Sequence, residues 1–225
     1  MTAVADPLEI DVFWSFRSPW SYLATPRLRE WQGRYALNVR FRPVYPLAIR
    51  TPEFFDRVHP LWPSYFMRDL FRVAEYLGLP MAPPKPDPVV QEMVDGKFRT
   101  GSQQPYIYRL TRLGALAEER GRGIEFADEV GRVIWGGTKD WDQGDHLTLA
   151  AQRAGLDLAE LDAAAVRDVD RIERAIEQNQ KDHEAAGHWG VPTCGFRGEP
   201  FFGQDRLDVL LWRLKRNGLA ERVGS

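Results

Sequence analysis

Apolar and polar residues alternate from Leu8 to Trp14, a run rich in Ile, Val and Phe that predicts a buried strand. Ser18-Pro19 then supplies a helix start, with Ser as N-cap and Pro at the first helical position, where its missing N–H costs nothing. Tyr22, Leu23, Pro26, Leu28 and Trp31 recur at roughly helical spacing until Gly33. From Ala36 to Val44 the alternation returns, with Leu37, Val39 and Phe41 on one face and Asn38, Arg40 and Arg42 on the other. This is a βαβ unit, most simply a parallel crossover. Between Pro46 and about Gly187 the pattern turns helical, with segments at Pro63–Leu79, Gln104–Arg120, Phe126–Trp135, Asp145–Ala154 and Asp168–Ala186. The five prolines from Pro80 to Pro88 mark a connector. Strand chemistry resumes at Val191–Phe196 and Pro200–Phe202 around a turn at Arg197-Gly198-Glu199, and a last helix, Asp205 to Asn217, closes at Gly218. No internal repeat is evident.

Composition removes whole classes of function. At 225 residues and 44% hydrophobic content, the chain is long enough for one domain with a large insertion and buries a core without staples. It is not a disordered chain. A single cysteine, Cys194, forms no internal disulfide, C-x-x-C pair or cysteine zinc cluster, which reads as a reduced, intracellular protein. The formal net charge of -2 argues against nucleic-acid binding. No apolar run approaches the roughly 18 residues of a bilayer span, and Met1 to Pro7 lacks the basic and apolar regions of a signal peptide, so no membrane contact and a cytoplasmic location are expected. His59, His146, His183 and His188 show no ligand spacing, so no metal is expected. Gly136-Gly137-Thr138-Lys139 lacks the full phosphate-loop spacing and reads as a turn.

Three segments carry candidate chemistry. Ser18-Pro19-Trp20-Ser21 sits at the first strand–helix junction. In thioredoxin-like oxidoreductases that junction holds C-x-x-C, and the helix N-terminus stabilises a thiolate there. With serines in place of both sulfurs the chain cannot cycle a dithiol; an anion site with a hydroxyl donor remains, or else Ser18 is an N-cap and nothing more. Gly190-Val191-Pro192-Thr193 precedes a strand where thioredoxin folds place a cis-proline, which leaves the preceding backbone free to pair with a peptide-like ligand. Phe201-Phe202-Gly203-Gln204-Asp205-Arg206-Leu207 enters the last helix with Asp205 as its N-cap, and Gln204 and Asp205 can present an amide and a carboxylate to a ligand amine. The expected fold is therefore α/β, thioredoxin-like (βαβ…ββα), with a discontinuous domain of residues 8–46 and 188–218 and an all-helical domain, 47–187, inserted between its halves.

On these three segments the chain resembles the 2-hydroxychromene-2-carboxylate isomerase family, near the kappa-class glutathione transferases and more distantly DsbA. Met67-Arg68-Asp69, Tyr76-Leu77-Gly78-Leu79-Pro80 and Ala154-Gly155-Leu156-Asp157 fall in family order, and the resemblance runs from Leu8 to Leu214. It implies glutathione as cofactor, with Ser18 hydrogen-bonding the sulfur, Val191 beside Pro192 pairing with the cysteinyl backbone, and Gln204 and Asp205 holding the γ-glutamyl end. It implies a homodimer and a small-molecule electrophile as partners. The function so implied is a glutathione-dependent isomerase of a conjugated, aromatic carboxylate, acting by transient thiolate addition. A kappa-like glutathione S-transferase and a non-catalytic thioredoxin-fold binding module are the alternatives. Two departures stand out: relatives place an Asn or Lys after the second strand where this chain runs Arg50-Thr51-Pro52-Glu53-Phe54-Phe55-Asp56-Arg57, and Asp87 to Gln104 differs from the family pattern.

Arg17 beside Ser18 is either a cation for a substrate carboxylate or thiolate, or an exposed structural arginine. Trp20, Tyr45, Phe54, Phe55, Trp62, Tyr65, Trp135 and Trp141 concentrate near the helix-one junction and in the insert. Most belong to a core, and two or three lining a pocket, with Trp20 and Tyr45 the leading candidates, suit a flat substrate. Cys194, inside a strand, reads as a buried, inert thiol.

Overall fold

A computed structural model describes residues 6–94 and 97–222. Strands β1 (Leu8–Trp14) and β2 (Leu37–Pro43) pair in parallel, with Ile10 opposite Val39 and Val12 opposite Phe41, and helix α1 (Pro19–Arg34) crosses between them. The alternation in β2 has its expected result: Leu37, Val39 and Phe41 are buried and Asn38 is exposed. On the polar face, Asp11 takes ion pairs from both Arg40 and Arg42 at 2.7 and 2.8 Å.

The insert follows as α2 (Leu47–Arg50), a 3-10 turn (Pro52–Asp56), α3 (Trp62–Leu77), β3 (Gln91–Val94), β4 (Lys97–Thr100), α4 (Ile107–Glu119), α5 (Gly123–Trp135), α6 (His146–Arg153), α7 (Leu158–Arg167) and α8 (Val169–Ala185). The insert differs from the sequence expectation at β3, β4 and α7, and in carrying α2 and the 3-10 turn ahead of α3. The antiparallel hairpin β3–β4 means the insert is not wholly helical. Gln91 to Val94 is exposed at every position, so no apolar face existed to announce the strand, and Gln104 fixes the hairpin from outside by pairing with both backbone groups of Val90 at 2.9 Å. Helix α7 was also missed; Asp157 caps it by accepting from the amides of Ala159 and Glu160, and Leu158, Leu161, Ala164 and Ala165 are its buried face.

After the insert, β5 (Thr193–Phe196) runs antiparallel to β1 and β6 (Glu199–Phe202) antiparallel to β5, giving the order β2-β1-β5-β6. Arg197 and Gly198 both take positive φ, 49° and 81°, the geometry of a tight hairpin turn. Helix α9 (Leu207–Arg216) completes a thioredoxin-like α/β fold. Its true start corrects one expectation: Asp205 lies in a 3-10 turn, Gln204–Arg206, ahead of α9 and does not cap it.

Sheet and insert share one apolar core that includes Trp14, Tyr22, Phe41, Phe126 and Trp141. Gly131 of α5 lets that helix approach α1, since a Cβ there would lie 3.3 Å from the Tyr22 ring. Directional bonds add to the packing. The indole of Trp135 donates to the Phe16 carbonyl at 3.0 Å, the Tyr22 hydroxyl to Pro80 O at 2.8 Å, and the Trp141 indole to Pro86 O at 2.7 Å. These bonds hold the proline-rich connector beside the first turn of α1. Among the described residues no helix is long and apolar enough to cross a membrane.

A cavity of about 370 Å³ lies at the opposite end of the sheet from that turn, lined in part by Leu37, Asn38, Glu118 and Glu125. Burial, with Glu125 adding to it, pushes the Glu118 carboxyl up to about 7 against the opposing pull of the Phe41 backbone and Arg42. A carboxyl held above its unfolded value stabilises the fold while protonated, and that contribution is lost as pH rises through about 7. Chemical denaturation is therefore expected to show the chain losing about 1 kcal/mol between about pH 6 and 8. Glu118→Gln should remove that part of the slope; an unchanged slope would contradict the assignment.

Candidate functional site

The site forms where β1 hands over to α1. The helix begins with amides that lack intrahelical partners, and Ser18, extended at φ -96° and ψ 112°, satisfies one of them: its Oγ accepts from Ser21 N at 3.1 Å. The same hydroxyl donates to the Val191 carbonyl at 3.2 Å. Ser18 is thus an N-cap and also a bond to a residue far along the chain. The Val191-Pro192 peptide is cis, and the Pro192 carbonyl accepts from Gly203 N at 2.9 Å, which ties the Gln204–Asp205 segment to the same turn. Three separate stretches of sequence meet there through one side-chain and one backbone hydrogen bond.

Ser21 stands three residues on, fully buried, and its Oγ has no hydrogen-bond partner. Gln204 is held by Arg27, whose Nη2 donates to its backbone carbonyl and, at 3.1 Å, to its side-chain Oε1. That leaves the Gln204 amide donors as its outward function. Asp205 carries a largely exposed carboxylate, paired with Arg206 at 3.2 Å. Arg17 is pinned by Asp87 through two bonds, 2.8 and 3.0 Å, in a fork geometry that orients the guanidinium. Asp87, which sequence reasoning passed over, is fixed in turn by accepting from Val89 N.

Trp20, in the first turn of α1, packs edge-on against Phe66 of α3 at 5.6 Å. From there rings follow one another through Trp62, Phe55, Phe54 and Trp189 at successive centroid distances of 4.9, 6.4, 5.3 and 5.0 Å. Phe55, Trp62 and Trp189 are all exposed, so part of this row faces solvent. Tyr45 stands apart from it. Its hydroxyl donates to the Glu173 carboxylate at 2.8 Å, and burial followed by that carboxylate drives its ionisation well above the usual phenol range, so it offers no free polar group to a substrate. Phe54 and Phe55 were named from sequence, whereas Phe66 and Trp189 were not, since nothing in their neighbourhood departs from an ordinary helix or loop.

The unmatched segment after β2 also finds its place. Arg50 donates through Nε to Tyr45 O at 2.6 Å and through Nη2 to Trp189 O at 3.0 Å, so the end of α2 reaches the loop before the cis-proline. Cys194 lies on β5 behind this loop, wholly desolvated, and burial pushes its thiol up to about 12. It is neutral and inaccessible.

The fold that carries this helix start and cis-proline turn is shared with known proteins. Residues 9–215 match the model of the DSBA-like thioredoxin domain. The chain belongs to that family. Among solved structures it is similar to 2-hydroxychromene-2-carboxylate isomerase, at 21% identity and a TM-score of 0.68 over 93% of this chain and 95% of that one. It is similar also to the cytosolic disulfide reductase DsbM from Pseudomonas aeruginosa solved with GSH, at 16% identity and a TM-score of 0.57 over 92% and 100%. A search of curated proteins finds no match. Within the DSBA-like family this chain carries hydroxyls at the helix start and its one thiol in the sheet core.

Two measurements probe this geometry. A Cβ on Gly190 would come within 2.5 Å of the Phe202 ring, so Gly190→Ala should cost about 1–3 kcal/mol in denaturant unfolding; a neutral result would contradict the close approach. Cys194 should resist an aromatic disulfide reagent in the native protein and react fully once the chain is unfolded. Rapid labelling under native conditions is the contrary result.

Proposed function

We propose that this member of the DSBA-like family is a glutathione-dependent isomerase acting on a conjugated, aromatic carboxylate. One observation carries the reading: the hydroxyl of Ser18 sits at the N-terminus of α1 and 3.2 Å from the Val191 carbonyl, where a dithiol protein would need sulfur. With Cys194 buried, neutral and the chain's single cysteine, the protein's own residues cannot run dithiol–disulfide exchange, and a thiol must come from outside. The likeness to an isomerase and to a reductase solved with GSH supports this choice.

The residues present suit such a ligand. Ser21 keeps a buried hydroxyl without a partner among the described residues beside the helix start, and the positive end of the α1 dipole favours an anion there. Ser18 would exchange its bond to the Val191 carbonyl for one to a thiolate, and the freed carbonyl would then accept from a ligand peptide N–H. Gln204 and Asp205 would hold an amine at the far end. When bound, glutathione supplies a thiolate that adds to a conjugated carbon, allows the former double bond to rotate, and departs unchanged. Arg17, oriented by Asp87 next to Ser18, would pair with the substrate carboxylate, and Trp20 with the ring row leading to Trp189 would cover its flat face.

A free thiol titrates near about 8.5. A helix start and one hydroxyl that lower it by about 2 supply about 2.7 kcal/mol. Calorimetry should therefore detect glutathione binding at millimolar concentration, and its thiolate absorbance should rise at lower pH on the protein than in buffer. Ser18→Ala should return the thiol most of the way to its free value. Absence of binding ends the proposal; binding with no Ser18 effect keeps the ligand and discards the role of the serine.

A further inference from the structure

Gly190 has every polar atom of its peptide groups held by a side chain. Its N–H donates to His188 Nδ1 at 2.9 Å, while its carbonyl faces His183 Nε2 at 2.9 Å and accepts from Thr193 Oγ1 at 2.6 Å. It has no side chain to spare for steric reasons as well, since a Cβ would lie 3.1 Å from His188 in addition to striking Phe202. The next residue is Val191, whose carbonyl receives the Ser18 proton.

We propose that His183 and His188 are positioning residues that clamp the Gly190 peptide, so setting the Val191 backbone against Ser18, and that protonation of His188 releases the clamp. The two rings act oppositely: His183 donates to the Gly190 carbonyl, whereas His188 accepts from the Gly190 N–H and can do so only when Nδ1 is unprotonated. A carbonyl accepts, so His183 carries its proton on Nε2; its Nδ1 is then bare, buried and without a partner. The ring is stacked on Phe13 at 4.7 Å, which leaves no route by which water could stabilise a charge. His188 must present a lone pair at Nδ1, because a backbone N–H points at it. It lies parallel to Phe202 at 3.9 Å and to Trp189 at 5.3 Å. A proton on Nδ1 would set donor against donor and break the bond to Gly190.

The charges around the pair favour the neutral state at ordinary pH. Arg50 reaches in from α2 to the Trp189 carbonyl, and Glu184 of α8 faces Arg50. Phe13 and Phe202 contribute no charge from the sheet, and His183 faces His188 from α8. Burial and then Arg50 bring His183 down to about 4, and burial lowers the more accessible His188 below its ordinary range. His188 is therefore the ring that responds first to acid.

The affinity arm of the test rests on the glutathione reading, and a second arm does not. Affinity of the full chain for S-methylglutathione, whose capped sulfur does not titrate, is measured by calorimetry from about pH 8 to about pH 5, alongside the Gly190 amide's exchange protection by NMR. The wild type should lose about fivefold in affinity across that range, and Gly190 protection should fall with it. His188→Asn keeps an acceptor near the Nδ1 position without titrating, and should hold affinity and protection flat. His188→Phe keeps the stack but no acceptor, and should bind about fivefold more weakly at every pH. Flat wild-type behaviour in both readouts, or His188→Asn retaining the wild-type pH dependence, overturns the clamp. If glutathione does not bind at any pH, the functional proposal falls, and Gly190 protection alone then decides for or against the clamp by the same comparison.

Discussion

A helix that starts inside a protein must find partners for its first amides, and at the head of α1 the Ser18 hydroxyl is the partner of one of them, Ser21 N. Ser18 accepts from its own helix and donates to Val191, so the same atom caps α1 and fixes the distance to the cis-proline turn. The other parts of the site are arranged around this bond. Pro192 passes the constraint to Gly203 and the entrance of α9, and Gly190 passes it back to α8 through His183. Loss of one hydroxyl would therefore loosen three elements at once, although each is secured separately by the core.

The electrostatic character of the site follows from what is missing. A helix start favours negative charge, and the residues of the first turn do not carry it: Ser18 and Ser21 are neutral, and Cys194 is a protonated thiol in the sheet interior. The nearest cation, Arg17, is already paired to Asp87 in a fixed orientation. Such a helix start is suited to an anion that its own serines do not provide, which is the physical ground of the proposal that a thiolate comes from outside.

The insert contributes shape. Trp135, Tyr22 and Trp141 bond to carbonyls of the junction and of the connector, so the helical block is fixed against the first turn of α1 by directed bonds as well as by packing. Its α3 and 3-10 turn then bring Phe66, Trp62, Phe55 and Phe54 to the same side as Trp20 and Trp189. Rigid rings lose little conformational freedom on binding, which suits them to a planar ligand.

Much of this was legible in the sequence. Alternation located β1 and β2, Ser18-Pro19 located the head of α1, and Gly190-Val191-Pro192-Thr193 with Gln204-Asp205 located the other two sides of the site, because capping, periodicity and turn chemistry act over a few residues. What failed to show were features with no local pattern. The exposed hairpin β3–β4 has no apolar face, and Asp205 looked like a cap because only the backbone decides where α9 begins. The pairing of Arg17 with Asp87, the reach of Arg50 to Trp189, the diversion of Tyr45 to Glu173 and the grip of two histidines on Gly190 join residues distant in sequence or facing by chance of the turn. The sequence by itself determined the order of elements and the absence of usable sulfur; the tertiary structure decided which side chains share a partner, since a hydrogen bond depends on distance and angle that no spacing along the chain encodes.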